Sequence, residues 1–144
     1  MAETWDFTWN QGADFLIELN YKSGPTGAAV PVDLSLYKFR MDIVGPDGKV
    51  LSVLNDESIA DTDPITTAAQ ADTTYEVTMF SNGNIRVDLP RTLTLPGGVL
   101  YKYLTANPPV RTFAYDMFLR DTAGKQEKIM AGTITVERSV TYWV

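Results

Sequence analysis

An all-β fold is what this sequence predicts, and three observations carry the prediction. Apolar and polar side chains alternate with a period of two through most hydrophobic segments, the pattern of strands with one buried face. Turn residues separate those segments at short intervals. No helical stretch is long enough to cover a parallel sheet. The strongest case is 113–141, where Phe113, Tyr115, Met117 and Leu119 alternate with Ala114, Asp116, Phe118 and Arg120. Asp121-Thr122-Ala123-Gly124 supplies the turn, and a second strand follows with Ile129, Ala131, Thr133 and the β-branched run 134–136.

From the start of the chain, 4–9 alternates Trp5, Phe7 and Trp9 against Thr4, Asp6 and Thr8. Gly12 interrupts the pattern, which resumes with Phe15, Ile17, Leu19 and Tyr21. The reading is two strands, or one bent strand that crosses between sheets at Gly12. Residues 22–31 form a turn-rich connection, and Asp33-Leu34-Ser35 a tight corner. Tyr37, Phe39, Met41 and Ile43 make the next strand, and Gly45-Pro46-Asp47-Gly48 turns it into 50–54.

Residues 55–72 are the least regular, with a weak helical pattern at 66–72. Alternation returns at 74–79. Ser81-Asn82-Gly83-Asn84 then predicts a hairpin into Ile85, Val87 and Leu89, since Asn-Gly between alternating runs is a strong hairpin signal. Residues 91–109 read as a one- or two-turn helix or an irregular cover, ending in Asn107-Pro108-Pro109. The sum is a single domain, 1–144. It is read as an antiparallel β-sandwich of about eight or nine strands with at most one short helix, immunoglobulin-like in the loose sense.

A chain of 144 residues can bury a core without staples. It holds no Cys and no His, which removes disulfides, thiolate chemistry and every Ser–His or Cys–His mechanism. Its net charge of −6 and scattered basic residues argue against a nucleic-acid partner. No membrane partner is expected, because no apolar run is long enough to span a bilayer. Residues 1–6 carry neither a basic nor an apolar signal region, so no signal peptide is predicted.

Three groups of side chains invite chemistry. Asp56, Glu57, Asp61 and Asp63 offer hard oxygens of the kind Ca²⁺ takes, but at no calcium-loop spacing, so a solvated loop and no metal is the reading. The carboxylate pairs Asp14/Glu18 and Asp116/Asp121 fit a polar strand face and a turn, and no catalytic residue or cofactor is assigned to them. Trp5, Trp9 and Trp143 lie near the two ends of the chain. They suit a partner interface, a sugar-stacking platform or the rim of a core. With the apolar run Tyr142, Trp143 and Val144, which needs a cover, the candidate interface is Trp5, Trp9, Tyr142, Trp143 and Val144.

In order along the chain stand Gln11-Gly12-Ala13-Asp14-Phe15, Pro31-Val32-Asp33-Leu34-Ser35 before Tyr37-Lys38-Phe39-Arg40-Met41, and Asn84-Ile85-Arg86-Val87. Tyr115-Asp116-Met117-Phe118-Leu119-Arg120-Asp121 and Ala131-Gly132-Thr133-Ile134-Thr135-Val136 follow. This series resembles a group of small tailed-bacteriophage virion proteins. These are immunoglobulin-like sandwich domains of tail and baseplate proteins, among them the N-terminal domains of some baseplate upper proteins and tail-fibre adaptors. Nearly the whole chain takes part, and the order of the motifs carries the likeness; 55–72 and 91–109 depart from it. The resemblance implies a non-enzymatic structural protein, assembled in the host cytoplasm into the virion. Its partners would be other virion proteins and further copies of itself in a symmetric array. It transfers no catalytic residues. A capsid decoration or collar protein, or a carbohydrate-binding module built on Trp5, Trp9 or Trp143, are the alternatives.

Overall fold

The computed structural model describes residues 3–23, 27, 29–55 and 76–141. Among them the strands are β1 (Glu3–Thr4), β2 (Phe7–Asn10), β3 (Phe15–Asn20), β4 (Lys22–Ser23), β5 (Val30–Pro31) and β6 (Lys38–Gly45). They continue as β7 (Gly48–Leu54), β8 (Glu76–Met79), β9 (Asn84–Leu89), β10 (Thr112–Arg120) and β11 (Gln126–Glu137). A 3-10 turn, Arg91–Thr94, and a single α-turn, α1 (Tyr101–Leu104), lie between β9 and β10. The fold is all-β. Of the eleven strands, β1, β4 and β5 are only two residues long.

Two sheets share one core. The larger runs β1-β11-β10-β6-β7, with β2 also on β11; the smaller runs β3-β9-β8; β4 and β5 form a short ribbon inside the turn-rich connection. Alternation decides which side chains meet. Phe113, Tyr115, Met117 and Leu119 on β10 and Phe39, Met41 and Ile43 on β6 are buried against Ile17 on β3 and Ile85, Val87 and Leu89 on β9. On β11 the buried positions are Met130, Ile134 and Val136. A register shift opposite Met117 and Phe118 puts an extra residue into β11 near Ile129.

The expected all-antiparallel arrangement needs correction. β1 and β2 run parallel to β11, pairing Thr4 with Ala131 and Phe7 with Ile134. A hairpin dictates antiparallel neighbours, but strands this far apart in sequence are under no such constraint. The register does not slip between β1 and β2. Instead Trp5 and Asp6 bridge them: the Trp5 amide donates to the Ala131 carbonyl at 3.0 Å, and Asp6 Oδ1 accepts from the Thr133 amide and hydroxyl, both at 3.0 Å. A carboxylate thus replaces a main-chain carbonyl in the ladder.

The tight corners follow their turn residues. At Asp33 the carboxylate accepts from the Ser35 amide and hydroxyl, and those donors hold its pKa below the ordinary carboxylate value. At Asp121, Oδ1 accepts from the amides of Ala123 and Lys125, both at 2.9 Å. The chain crosses from the large sheet to the small one at Gly12, whose φ of 82° belongs to the left-handed region. The corner is locked by its neighbour Gln11, which is buried. Gln11 Nε2 donates to the Thr94 carbonyl, while Oε1 accepts from Arg138 Nε at 2.9 Å and from the Ser139 amide. The Ser139 hydroxyl donates to the Gln11 carbonyl at 2.8 Å. The exit of β11 is therefore fastened to the corner between β2 and β3.

Residues 91–109 prove to be a cover made of the 3-10 turn and α1. Tyr103 packs edge-on against Phe113 and its hydroxyl donates to Asp47 Oδ1 at 2.7 Å, closing the end of the β6–β7 hairpin. The weak helical pattern at 66–72 lies outside the described residues.

Candidate functional site: an open edge between the two sheets

On one side of the molecule two strand edges lie next to each other. β1 and β2 end the large sheet and β3 ends the small one, and among the described residues each pairs on one side only. Between them runs a groove of about 450 Å³. Trp5, Phe7, Leu19 and Met130 line it, with Leu16 and Glu18 on the rim. Farther along the same two strands Trp9 stacks on Phe15, with ring centroids 5.1 Å apart, and Phe7 meets Phe15 edge-on at 5.7 Å.

Trp5, Phe7 and Trp9 occupy one face of the same edge, yet they end in different environments. Trp9 is buried, 1% exposed, and its indole N–H donates to the Ala13 carbonyl at 2.8 Å. Its candidacy as an interface residue is therefore corrected: Phe15 already covers its ring, and the corner carbonyl takes its only donor. Trp5 is 58% exposed, and Leu16 across the groove is 44% exposed. Tyr142, Trp143 and Val144 lie outside the described residues. Of the sequence-derived set, the structure brings Trp5 to the groove. Leu16 and Met130 join it, and neither was signalled by the sequence, because an apolar residue on the polar side of a strand reads as a flaw in the pattern.

The backbone under Trp5 is tightly held. A Cβ on Gly132 would collide with the Trp5 carbonyl oxygen, so only glycine permits β11 to approach there. Tyr115 reaches through from β10 and its hydroxyl donates to that same carbonyl at 2.5 Å. Burial, and then the charge of Asp6, push the Tyr115 pKa up to about 12.

The carboxylates singled out in the sequence hold turns and strands in place. Asp14 Oδ1 accepts from the Arg91 amide at 2.8 Å, Asp121 closes its own turn, and Asp116 faces Lys128 at 3.6 Å. Asp56, Glu57, Asp61 and Asp63 lie outside the described residues. Among the described residues no group of three or more carboxylates is arranged to hold a metal ion, and no helix is long and apolar enough to cross a membrane.

No family model matches this sequence, and no curated protein matches it. The chain's own geometry must carry the functional reading.

That geometry includes one further feature of the large sheet. Strand pairing gathers Lys38, Arg40, Arg120 and Lys128 around Phe118 on its outer face, residues that look scattered along the sequence. Asp42 contacts Arg40 at 3.1 Å and Lys49 at 3.5 Å, so the basic groups there alternate with carboxylates instead of forming a positive field.

Proposed function

We propose that this chain is a non-enzymatic structural component of a tailed-bacteriophage virion, built on an immunoglobulin-like sandwich. It would join tail or baseplate subunits or anchor a fibre, working in symmetric copies among other virion proteins. The virion role rests on the series of motifs named above, and strand order supports the immunoglobulin-like part of the reading. In the immunoglobulin plan the second, fifth and fourth strands share one sheet, and the seventh, sixth and third share the other. Taking β2, β3, β6, β7, β8, β9, β10 and β11 as the successive strands, with β7 as the extra edge strand of variable-type domains, β3-β9-β8 and β11-β10-β6-β7 follow that plan.

The motifs behind the resemblance also fall on devices of this fold in the same sequence. Gln11-Gly12 is the locked crossing and Asp33 the side-chain-closed corner. Tyr115 to Asp121 is the central strand with its turn residue, and Gly132 is the close-approach glycine under Trp5. The groove supports an assembly role, since two adjacent unpaired edges with an exposed Trp accept an extended segment from a neighbour.

The test is a cryo-EM map and protein inventory of the purified particle. Density for this fold in the tail or baseplate is expected. Density at the capsid or collar would replace that placement, and absence from mature particles would overturn the reading. Because Trp5 is exposed in a groove, a sugar-binding role is the second reading. Its test is Trp fluorescence titrated with oligosaccharides: a saturable change at millimolar sugar would favour it over the assembly role.

A further inference from the structure

Hydrogen bonding to β9 uses only every second residue of β3. The Tyr21 amide, just past the strand, donates to the Gly83 carbonyl at 2.7 Å, so the odd-numbered residues turn their amides and carbonyls toward β9. On β9 the Asn84 carbonyl accepts from the Phe80 amide at 2.9 Å, which agrees: its even-numbered residues serve β8. The amides and carbonyls of Leu16, Glu18 and Asn20 therefore point the other way, to the side on which no described strand pairs with β3. The strand's six residues give about 20 Å of such edge, with neither Pro nor Lys to block it.

The groove beside this edge selects what can pair there. Its lining includes two carboxylates, Glu3 and Glu18, and no Lys or Arg. Arg86 stands across from Glu18 on β9, but its guanidinium is turned to Asp88 at 3.2 Å. A second copy of the same edge is a poor match. Antiparallel pairing through the three outward residues sets Glu18 against Glu18, and both chains carry a net charge of −6. We propose that β3 takes up an extended segment of a different protein, with apolar side chains facing the groove and a Lys or Arg opposite Glu18. The proposal rests on the assembly reading and names the chemistry of the neighbour's segment.

Pairing geometry gives the pattern of that segment. In an antiparallel addition, the residues directly opposite Asn20, Glu18 and Leu16 project on the outer face of the small sheet. The two between them project into the groove that Phe7, Leu19 and Met130 line. Along the incoming strand the order is polar, apolar, basic, apolar, apolar. The last residue would cover Leu16, which accounts for an exposed leucine on an otherwise polar strand face.

The test uses the full chain, isotope-labelled, and two synthetic peptides with blocked ends, Thr-Val-Lys-Val-Leu and Thr-Val-Glu-Val-Leu. With the first, saturable nuclear magnetic resonance shifts are expected at millimolar peptide. Hydrogen exchange should slow at the amides of Leu16, Glu18 and Asn20 and stay unchanged at Ile17 and Leu19, which β9 already holds. The second peptide should bind about tenfold more weakly or worse. Glu18→Lys, with its circular dichroism unchanged, should reverse that preference.

Equal affinity for the two peptides, no binding of either, or binding that leaves the three outward amides exchanging as before would overturn the proposal. So would slow exchange at those amides without peptide. Independent of protein concentration, it would mean that the chain covers its own edge; growing with concentration, it would give the edge to a second copy. Each of these results leaves the virion reading standing, because that is judged separately by the particle map.

Discussion

At Gln11 a neutral amide sits almost fully buried and satisfies three partners from segments far apart in the chain: the Thr94 carbonyl, the Arg138 guanidinium and the Ser139 amide. Gln11→Ala should therefore destabilise the protein by about 2–4 kcal/mol, read as a shift in the urea midpoint with little change in slope, because it strands buried donors and an acceptor together. Nothing in the sequence marks Gln11 beyond its place beside Gly12. A buried amide looks the same as an exposed one in a string of letters, and its partners lie far away along the chain.

Three tyrosines set a second prediction. Tyr115 is raised to about 12 by burial and then the charge of Asp6. Tyr103 is raised to about 12 by burial and its bond to Asp47. Tyr21 is raised to about 12 chiefly by its 2.5 Å bond to Glu127. Each favours the protonated form in the folded state. Their stabilisation is complete below the unfolded value near 10 and is lost as pH rises toward 12. Stability should thus fall steeply between pH 10 and pH 12, and Tyr103→Phe should make that fall shallower, measured by urea unfolding at stepped pH.

Among the elements, the β10–β11 hairpin was the most legible. Its alternation identifies Phe113, Tyr115, Met117 and Leu119 as the buried face, and all four are buried. The crossing at Gly12 was legible as well, since a glycine breaking an alternating run marks a bend. The direction of pairing was not: period-two alternation states which side chains share a face and is silent on whether the neighbouring strand runs parallel. The split between Trp5 and Trp9 was hidden for a related reason. Both have the same parity, and only the position of Phe15 over one end of the edge separates them.

The bulge near Ile129 likewise moved the buried set of β11 to Met130, Ile134 and Val136. Gly132→Ala tests the N-terminal edge at this scale. Its new Cβ would meet the Trp5 carbonyl, so β1 and the bridge at Trp5–Asp6 should detach while the β10–β11 pairing survives. Hydrogen exchange should show lost protection at residues 5–8, with at most a small change in β10. Equal loss in both would show that the edge and the hairpin unfold as one unit.

For the molecule as a whole, the two sheets contribute to a single buried cluster, so neither has a core of its own. Unfolding should be one cooperative step: far-ultraviolet circular dichroism and the fluorescence of buried Trp9 should give coincident urea transitions. Met117→Ala, at a fully buried position in the central strand, should lower stability by about 2–5 kcal/mol. Two separated transitions would contradict the shared core.

The parallel pairing of β2 with β11 also has a consequence for synthesis. Asp6 leaves the ribosome 127 residues before the Thr133 it must find, and Trp5 must likewise find Tyr115 and Ala131. Contacts this distant in sequence are slow to form, because a long loop must close before they give anything in return. Throughout translation, then, Trp5, Phe7 and Trp9 wait without their strand partner. A ribosome stalled short of β11 should hold a chain whose residues 3–10 are open to protease, while one stalled once residue 139 has cleared the exit tunnel should hold a protected one.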